Sequence, residues 1–146
     1  MEIPTTRFGT LQVGLEQMVV FPDGLWGYSD HQHWVVLAEN HHDDLGWMQS
    51  VRDPRVALPV ASPCRLGFEQ PLRVAAQELQ PLKLDDPRQA LVLAVLQLTQ
   101  QALTINLRTP LVVNLARRLG RQVLVRDGQP DQPLLPEHSA RLRKCA

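Results

Sequence analysis

The chain has 146 residues, 44% apolar and 21% charged, which suffices for one domain with a substantial core and excludes global disorder. Its longest apolar stretch, Ala90 to Leu96, is far too short to cross a bilayer, and Met1-Glu2-Ile3-Pro4 lacks the basic patch and apolar run of an export signal. A cytoplasmic location without membrane contact is therefore expected. The net charge of zero hides a split: residues 1–50 carry Arg7 against seven acids, while residues 51–146 carry fourteen bases, twelve of them Arg, against eight acids. Arginine forks carboxylates and phosphates, so this split fits either pairing within one domain or a recognition surface.

Short β-rich runs separated by turn residues follow one another along the chain. Leu11 to Val13 comes after the turn candidate Phe8-Gly9, and Met18 to Phe21 runs into Pro22-Asp23-Gly24, where Pro presets φ and Gly accepts φ > 0. Trp34 to Leu37 is the next strand, followed by a polar loop over Glu39 to Asp44. Trp47 to Val51 stops at Asp53-Pro54, and Val56 to Ala61 stops at Ser62-Pro63. Pro59 removes a ladder donor, which predicts an edge or a bulge at that point. Leu66 to Val74, interrupted by Pro71, is a further strand candidate.

Ala75 to Leu82 is the one helix expected before Leu91, and Asp85-Asp86-Pro87 reads as a turn or a single helical turn. Leu91 to Leu98 is apolar throughout, so periodicity does not separate a buried strand from a buried helix; its strand-like neighbours favour a strand. Thr104 to Leu107, Pro110 to Asn114 and Gln122 to Val125 complete the set, with Leu119-Gly120 as the turn joining the last two. The expected fold class is all-β, an antiparallel barrel-like structure with one or two short helices, spanning residues 1–126. Residues 127–146, rich in Pro, Gln and charge, are expected to form a loosely ordered tail.

Catalytic patterns are missing from the sequence. There is no Gly-x-Ser-x-Gly elbow and no phosphate-binding glycine loop, so no enzyme activity and no cofactor are expected. His31, His33, His41 and His42 lie close in sequence, yet no established metal-ligand spacing relates them, and no metal is expected. Cys64 and Cys145 sit in unrelated contexts and are expected to be free thiols. What remains is a surface for binding. Trp26, Tyr28, Trp34 and Trp47 gather the larger aromatics in the acidic third, and Tyr, Trp and Arg are common interface anchors. Trp34 and Trp47 lie inside strand-like runs and are expected in the core, whereas Trp26 lies in the turn Gly24-Leu25-Trp26-Gly27-Tyr28 and is expected to be the most exposed of the three.

Three segments together resemble the FliW family. Phe21-Pro22-Asp23-Gly24-Leu25-Trp26-Gly27-Tyr28 is close to its Phe-x-x-Gly-Ile-x-Gly-Phe. Trp47-Met48-Gln49-Ser50-Val51, followed by Asp53-Pro54, is similar to its Leu-Gln-Ser and Asp-Pro. Asn106-Leu107-Arg108-Thr109-Pro110-Leu111-Val112-Val113-Asn114, and later Gln122-Val123, parallels its Asn-Leu-x-x-Pro-Ile-x-x-Asn and Gln-Val. The resemblance implies a regulator that binds flagellin and also CsrA, a small RNA-binding translational repressor, and so couples flagellin synthesis to flagellum assembly. On these motifs the partner surface would draw on Trp26, Tyr28, Gln49, Asp53, Asn106, Pro110, Asn114 and Gln122. The alternative is a nucleic-acid-binding β-barrel using Arg108, Arg117, Arg118, Arg121 and Arg126. No acid lies between Arg108 and Arg126, but residues 69–146 contain no Phe, Trp or Tyr on which bases could stack. These arginines are therefore expected to pair with acids of the first third or of a protein partner, with no direct nucleic-acid contact.

Overall fold

The computed structural model describes residues 1–39, 42–68, 73–86, 89–98, 100, 102–126 and 132–133. The alternation of strand-forming runs and turn residues yields short strands: β1 (Glu2–Thr5), β2 (Gly9–Gln12), β3 (Met18–Val20), β4 (His33–Glu39), β5 (His42–Ser50), β6 (Ala57–Ala61), β7 (Arg73–Val74), β8 (Ala90–Leu98), β9 (Leu103–Ile105), β10 (Leu111–Asn114), β11 (Leu119–Gln122), β12 (Val125–Arg126) and β13 (Gln132–Pro133). One α-helical turn, α1 (Ala76–Leu79), continues into a 3-10 turn over Gln80–Leu82, and a second 3-10 turn covers Leu15–Gln17.

Seven strands form a ring in the order β10, β11, β3, β4, β5, β6 and β8, closed where β8 returns to β10 with Leu93 opposite Leu111. Closure removes the exposed ladder edges that an open sheet would leave. The ring's pairings are antiparallel except one: β11 meets β3 in parallel, through the single pair Leu119 and Val20. The alternation of strand side chains decides the layers. In β4, Trp34 and Val36 pack inside the barrel with Phe21, Met48 and Leu111, while Val35 and Leu37 face outward.

The outward residues need covers, and the chain supplies them. The β1–β2 hairpin lays Ile3 and Val13 over Val35, and Leu82 of the 3-10 turn packs on Val112 and Val123 outside β10. A further cluster joins Ala94 and Leu96 of β8 to Ala61, Leu66 and Ile105. β8 is thus apolar on both faces, with Leu93 in the barrel and Ala94 in the neighbouring cluster, which is why its sequence shows no alternation. Among the described residues no helix is long and apolar enough to cross a membrane.

Several expectations are corrected. Leu119-Gly120 is not a turn but the start of β11, and the turn is Leu115 to Arg118. Asn114 builds it: its Oδ1 accepts the backbone N–H groups of Ala116 (3.1 Å) and Arg117 (3.4 Å), and its Nδ2 donates to the Leu82 carbonyl at 2.9 Å. Arg118 takes the left-handed conformation a glycine would favour, φ 53°, at a cost of about 1 kcal/mol. Gly120 answers a different need, since a Cβ there would lie 2.5 Å from the Phe21 ring.

The polar loop expected over Glu39 to Asp44 is largely strand: β4 reaches Glu39 and β5 begins at His42, with a register shift at Ala38/Glu39, while positions 40 and 41 lie outside the described residues. Leu66 to Phe68 is turn rather than strand, because Pro63 and Gly67 (φ 89°) fold the segment back on itself. Of that candidate only β7 is strand, and residues 69–72 lie outside the described residues. The free-thiol expectation fails at Cys64, which is not free; Cys145 lies outside the described residues. Pro59 sits opposite Trp47, one residue before β6 begins to pair with β8 at Val60, so it occupies a locally one-sided stretch of an interior strand. The helix lies where the sequence places it, and Gln132–Pro133 of the tail pair with β9; Asp85 and Asp86 form a bend, and Pro87 lies outside the described residues.

Candidate partner-binding surface at one end of the barrel

Where β3 ends, the chain leaves the barrel and folds across its mouth. Gly24, at φ 69°, donates its N–H to the Phe21 carbonyl at 2.8 Å, and a Cβ there would meet the Ser29 carbonyl oxygen at 2.5 Å. Leu25 and Tyr28 then exchange two backbone hydrogen bonds around Gly27, at φ 85°. This tight reversal drives Leu25 into the barrel core and leaves Trp26, one residue on, 61% exposed. Trp34 is fully buried and Trp47 half-buried, so Trp26 is the most exposed of the three, as expected.

The loop is tied down from below. The Trp26 N–H donates to Gln122 Oε1 at 2.8 Å, and Gln122 Nε2 donates to the Thr109 carbonyl (3.1 Å) and hydroxyl (3.2 Å). Asn106 Nδ2 donates to the same hydroxyl at 2.9 Å, and Asn106 Oδ1 accepts the N–H groups of Arg108 and Thr109. Pro110, buried, accepts the Val123 N–H at 3.0 Å. A continuous polar chain therefore runs from Asn106 through Thr109 and Gln122 to the backbone of Trp26, and holds the exposed indole on a fixed base.

On the other side of the same mouth, Tyr28 makes edge contacts with His31 (5.6 Å) and Trp34 (6.2 Å), and Trp34 Nε1 donates to the His31 carbonyl at 2.8 Å. Ser50 Oγ accepts the N–H groups of Arg52 (3.1 Å) and Asp53 (3.2 Å), so its hydrogen is the one available to His31 Nδ1 at 2.7 Å. Gln49 is fully buried and donates to the carbonyls of Ser50 (3.0 Å) and Val56 (3.1 Å); its Oε1 has no partner among the described residues. Gln49 therefore acts by shaping the loop after β5.

Asp53 accepts the Arg55 N–H (2.9 Å) and is gripped by the Arg55 guanidinium at 3.1 and 3.2 Å. The Arg55 hydrogen bonds hold its carboxyl below the usual carboxylate range. A depressed folded-state pKa stabilises the fold above the unfolded value, and this contribution is lost as pH falls through the folded one. Arg55→Ala is expected to return Asp53 toward the ordinary range in a carboxyl NMR titration, with little change in stability because the Arg55 side chain is exposed. An unchanged titration would remove Arg55 as the cause.

Seven of the eight residues picked from sequence, all but Asn114, thus surround one end of the barrel. Asn114 lies about 10 Å away, at the far end of β10, where it is buried and builds the turn to Arg118. Two contributors escaped the sequence reading. Thr109 is the buried junction of the polar chain, signalled only by the Asn-x-x-Thr spacing from Asn106. Leu124 is 57% exposed, two residues from Gln122 on an extended segment and therefore on the same side.

Of the five arginines singled out, Arg121 pairs with Asp23 (3.5 Å) and Glu78 (3.4 Å), so one of its acids comes from the first third and the other from α1. The Arg126 side chain lies outside the described residues. His31 and His33 do not converge: His31 turns to Ser50, and His33 is exposed. The rings of His41, His42 and His138 lie outside the described residues. Among the described residues, no group of three or more His, Cys, Asp or Glu could hold a metal ion.

A sequence profile described as FliW protein matches residues 2–134. A flagellar assembly factor FliW of Magnetococcus marinus is 29% identical over 140 residues, covering 94% of this chain and 86% of the relative. The flagellar assembly factor FliW of Geobacter sulfurreducens is 28% identical over 127 residues, covering 86% and 79%. A crystal structure of the flagellar assembly factor FliW superposes with a TM-score of 0.82 at 21% identity, covering 93% of this chain and 98% of that one. That likeness shares the all-β fold.

Proposed function

This chain belongs to the FliW family of flagellar assembly factors, and from that premise we propose that it binds CsrA and flagellin and couples flagellin synthesis to assembly. In this reading CsrA held by the chain cannot silence flagellin messenger RNA, and flagellin competes for the chain until it is exported. The protein acts in the cytoplasm through residues 1–126 as its main folded unit, to which Gln132–Pro133 of the tail add a strand beside β9, and it invokes no cofactor and no chemical step.

The observation that carries the reading is Trp26, a large aromatic held in the open with its backbone bound to Gln122, two residues before the exposed Leu124. Exposed tryptophans on a fixed backbone are common interface anchors, because the indole brings a large contact area with only two side-chain torsions to order. Tyr28, Gln49, Asp53, Asn106, Pro110 and Gln122 support that surface, and Asn114 acts from the opposite end by holding the β10–β11 turn. The alternative nucleic-acid reading is weaker, since Arg121 is engaged by two acids and Arg117 and Arg118 lie at the end of the barrel opposite the exposed Trp26. Isothermal titration of the purified chain with CsrA, and separately with flagellin, is expected to give saturable binding of about micromolar Kd or tighter, with flagellin displacing CsrA. Absence of heat with both partners, using protein whose fold is verified by circular dichroism, would overturn the reading.

A further inference from the structure

The end of the barrel opposite Trp26 carries a second surface of different chemistry. Leu15, in the 3-10 turn before β3, is 70% exposed, and Leu115, at the start of the β10–β11 turn, is 56% exposed. Arg117 and Arg118 are exposed beside them, and no acid pairs with either among the described residues. The two segments are bound together: the Arg118 guanidinium donates to the Leu15 carbonyl at 2.6 Å, and the Arg118 carbonyl accepts the Val20 N–H at 2.9 Å. Beneath them, Asn114 fixes the turn to Leu82. A left-handed arginine therefore sits on a rigid support at a position where glycine would be free of strain.

We propose that this end of the barrel is a second docking surface, fitted to an acidic protein segment that carries leucine-sized apolar side chains. The chemistry selects this occupant. Two exposed guanidiniums, neither paired with an acid among the described residues, call for carboxylates, and the leucines beside them call for apolar contact. The chain's own residues 127–146 are a poorer source, because Asp127, Asp131 and Glu137 are balanced by Arg141, Arg143 and Lys144, and Gln132–Pro133 in their midst pair with β9. RNA is disfavoured because the one aromatic among the large exposed apolar side chains, Trp26, lies at the other end of the barrel. Glu16, exposed next to Leu15, is a like charge that such a segment would meet. The surface stands whether or not the Trp26 end binds the partners proposed above.

The test uses the full chain and a dansyl-labelled synthetic peptide of about 15 residues, with Glu and Leu at amphipathic helical spacing. Saturable binding that weakens with salt is expected. Arg117→Ala combined with Arg118→Asn should weaken it about fivefold or more, with the turn retained because Asn tolerates φ > 0. Trp26→Ala should leave it unchanged. Equal binding by the double variant, equal binding of a peptide with Lys in place of Glu, or no saturation would overturn the proposal. Tighter binding of oligouridylate than of the peptide would reassign the surface to nucleic acid. A concentration-dependent doubling of mass, lost in the double variant, would reassign it to a contact between copies.

Discussion

Trp26→Ala is expected to weaken binding of CsrA or flagellin about 30-fold or more, a loss of about 2 kcal/mol, while leaving the melting temperature unchanged. The two halves of that expectation come from the same geometry. Trp26 is 61% exposed, so truncation opens no cavity in the core. Its contact with Gln122 runs through the backbone N–H and survives the substitution. The loop therefore keeps its shape and loses its largest apolar anchor. Titration calorimetry with each partner measures the first half, and thermal circular dichroism the second. Unchanged affinity for both partners would move their docking away from this end of the barrel.

Trp34→Ala is the opposite kind of change, with an expected loss of about 3–5 kcal/mol of stability, a large share of the roughly 5–15 kcal/mol typical of a domain. Trp34 is fully buried inside the ring, packs edge-on against Tyr28, and donates its indole N–H to the His31 carbonyl. Alanine would leave a large void and a carbonyl without its donor. Trp34→Phe fills most of the volume and should recover a good part of the loss. Urea unfolding of the two variants against the native chain gives the comparison; a loss below about 1 kcal/mol for Trp34→Ala would mean that the barrel collapses onto the gap.

The strands were readable where the chain alternates or where its turns carry Pro and Gly, as in Met18 to Phe21 ahead of Pro22-Asp23-Gly24. Trp26 was readable for the same reason, since a residue between Leu25 and Gly27 in so tight a reversal has nowhere to turn but outward. Gly120 misled because a glycine in sequence looks the same whether it serves a turn or makes room for a ring, and Phe21 lies 99 positions away. The real turn was masked by Arg118, a residue type that rarely adopts left-handed backbone. Thr109 gained its place from partners brought in by the sheet register, and Gln49 proved to be buried although its motif offered it as a surface residue. Tertiary hydrogen bonding, not local preference, decides such positions.

The parallel contact between Leu119 and Val20 sets how this protein can be made. The ring does not close until residues 99 positions apart meet, so the decisive contact is among the least local in the chain. Folding with such a contact order belongs to the slow regime of milliseconds to seconds. On the ribosome β3 and β4 emerge close together, but the free flank of β3 waits for β11, whose Leu119 follows Val20 by 99 positions. Until then the nascent chain carries an unpaired strand beside Val19 and Trp34, and a messenger cut short before Leu119 would yield a sheet left open at that flank.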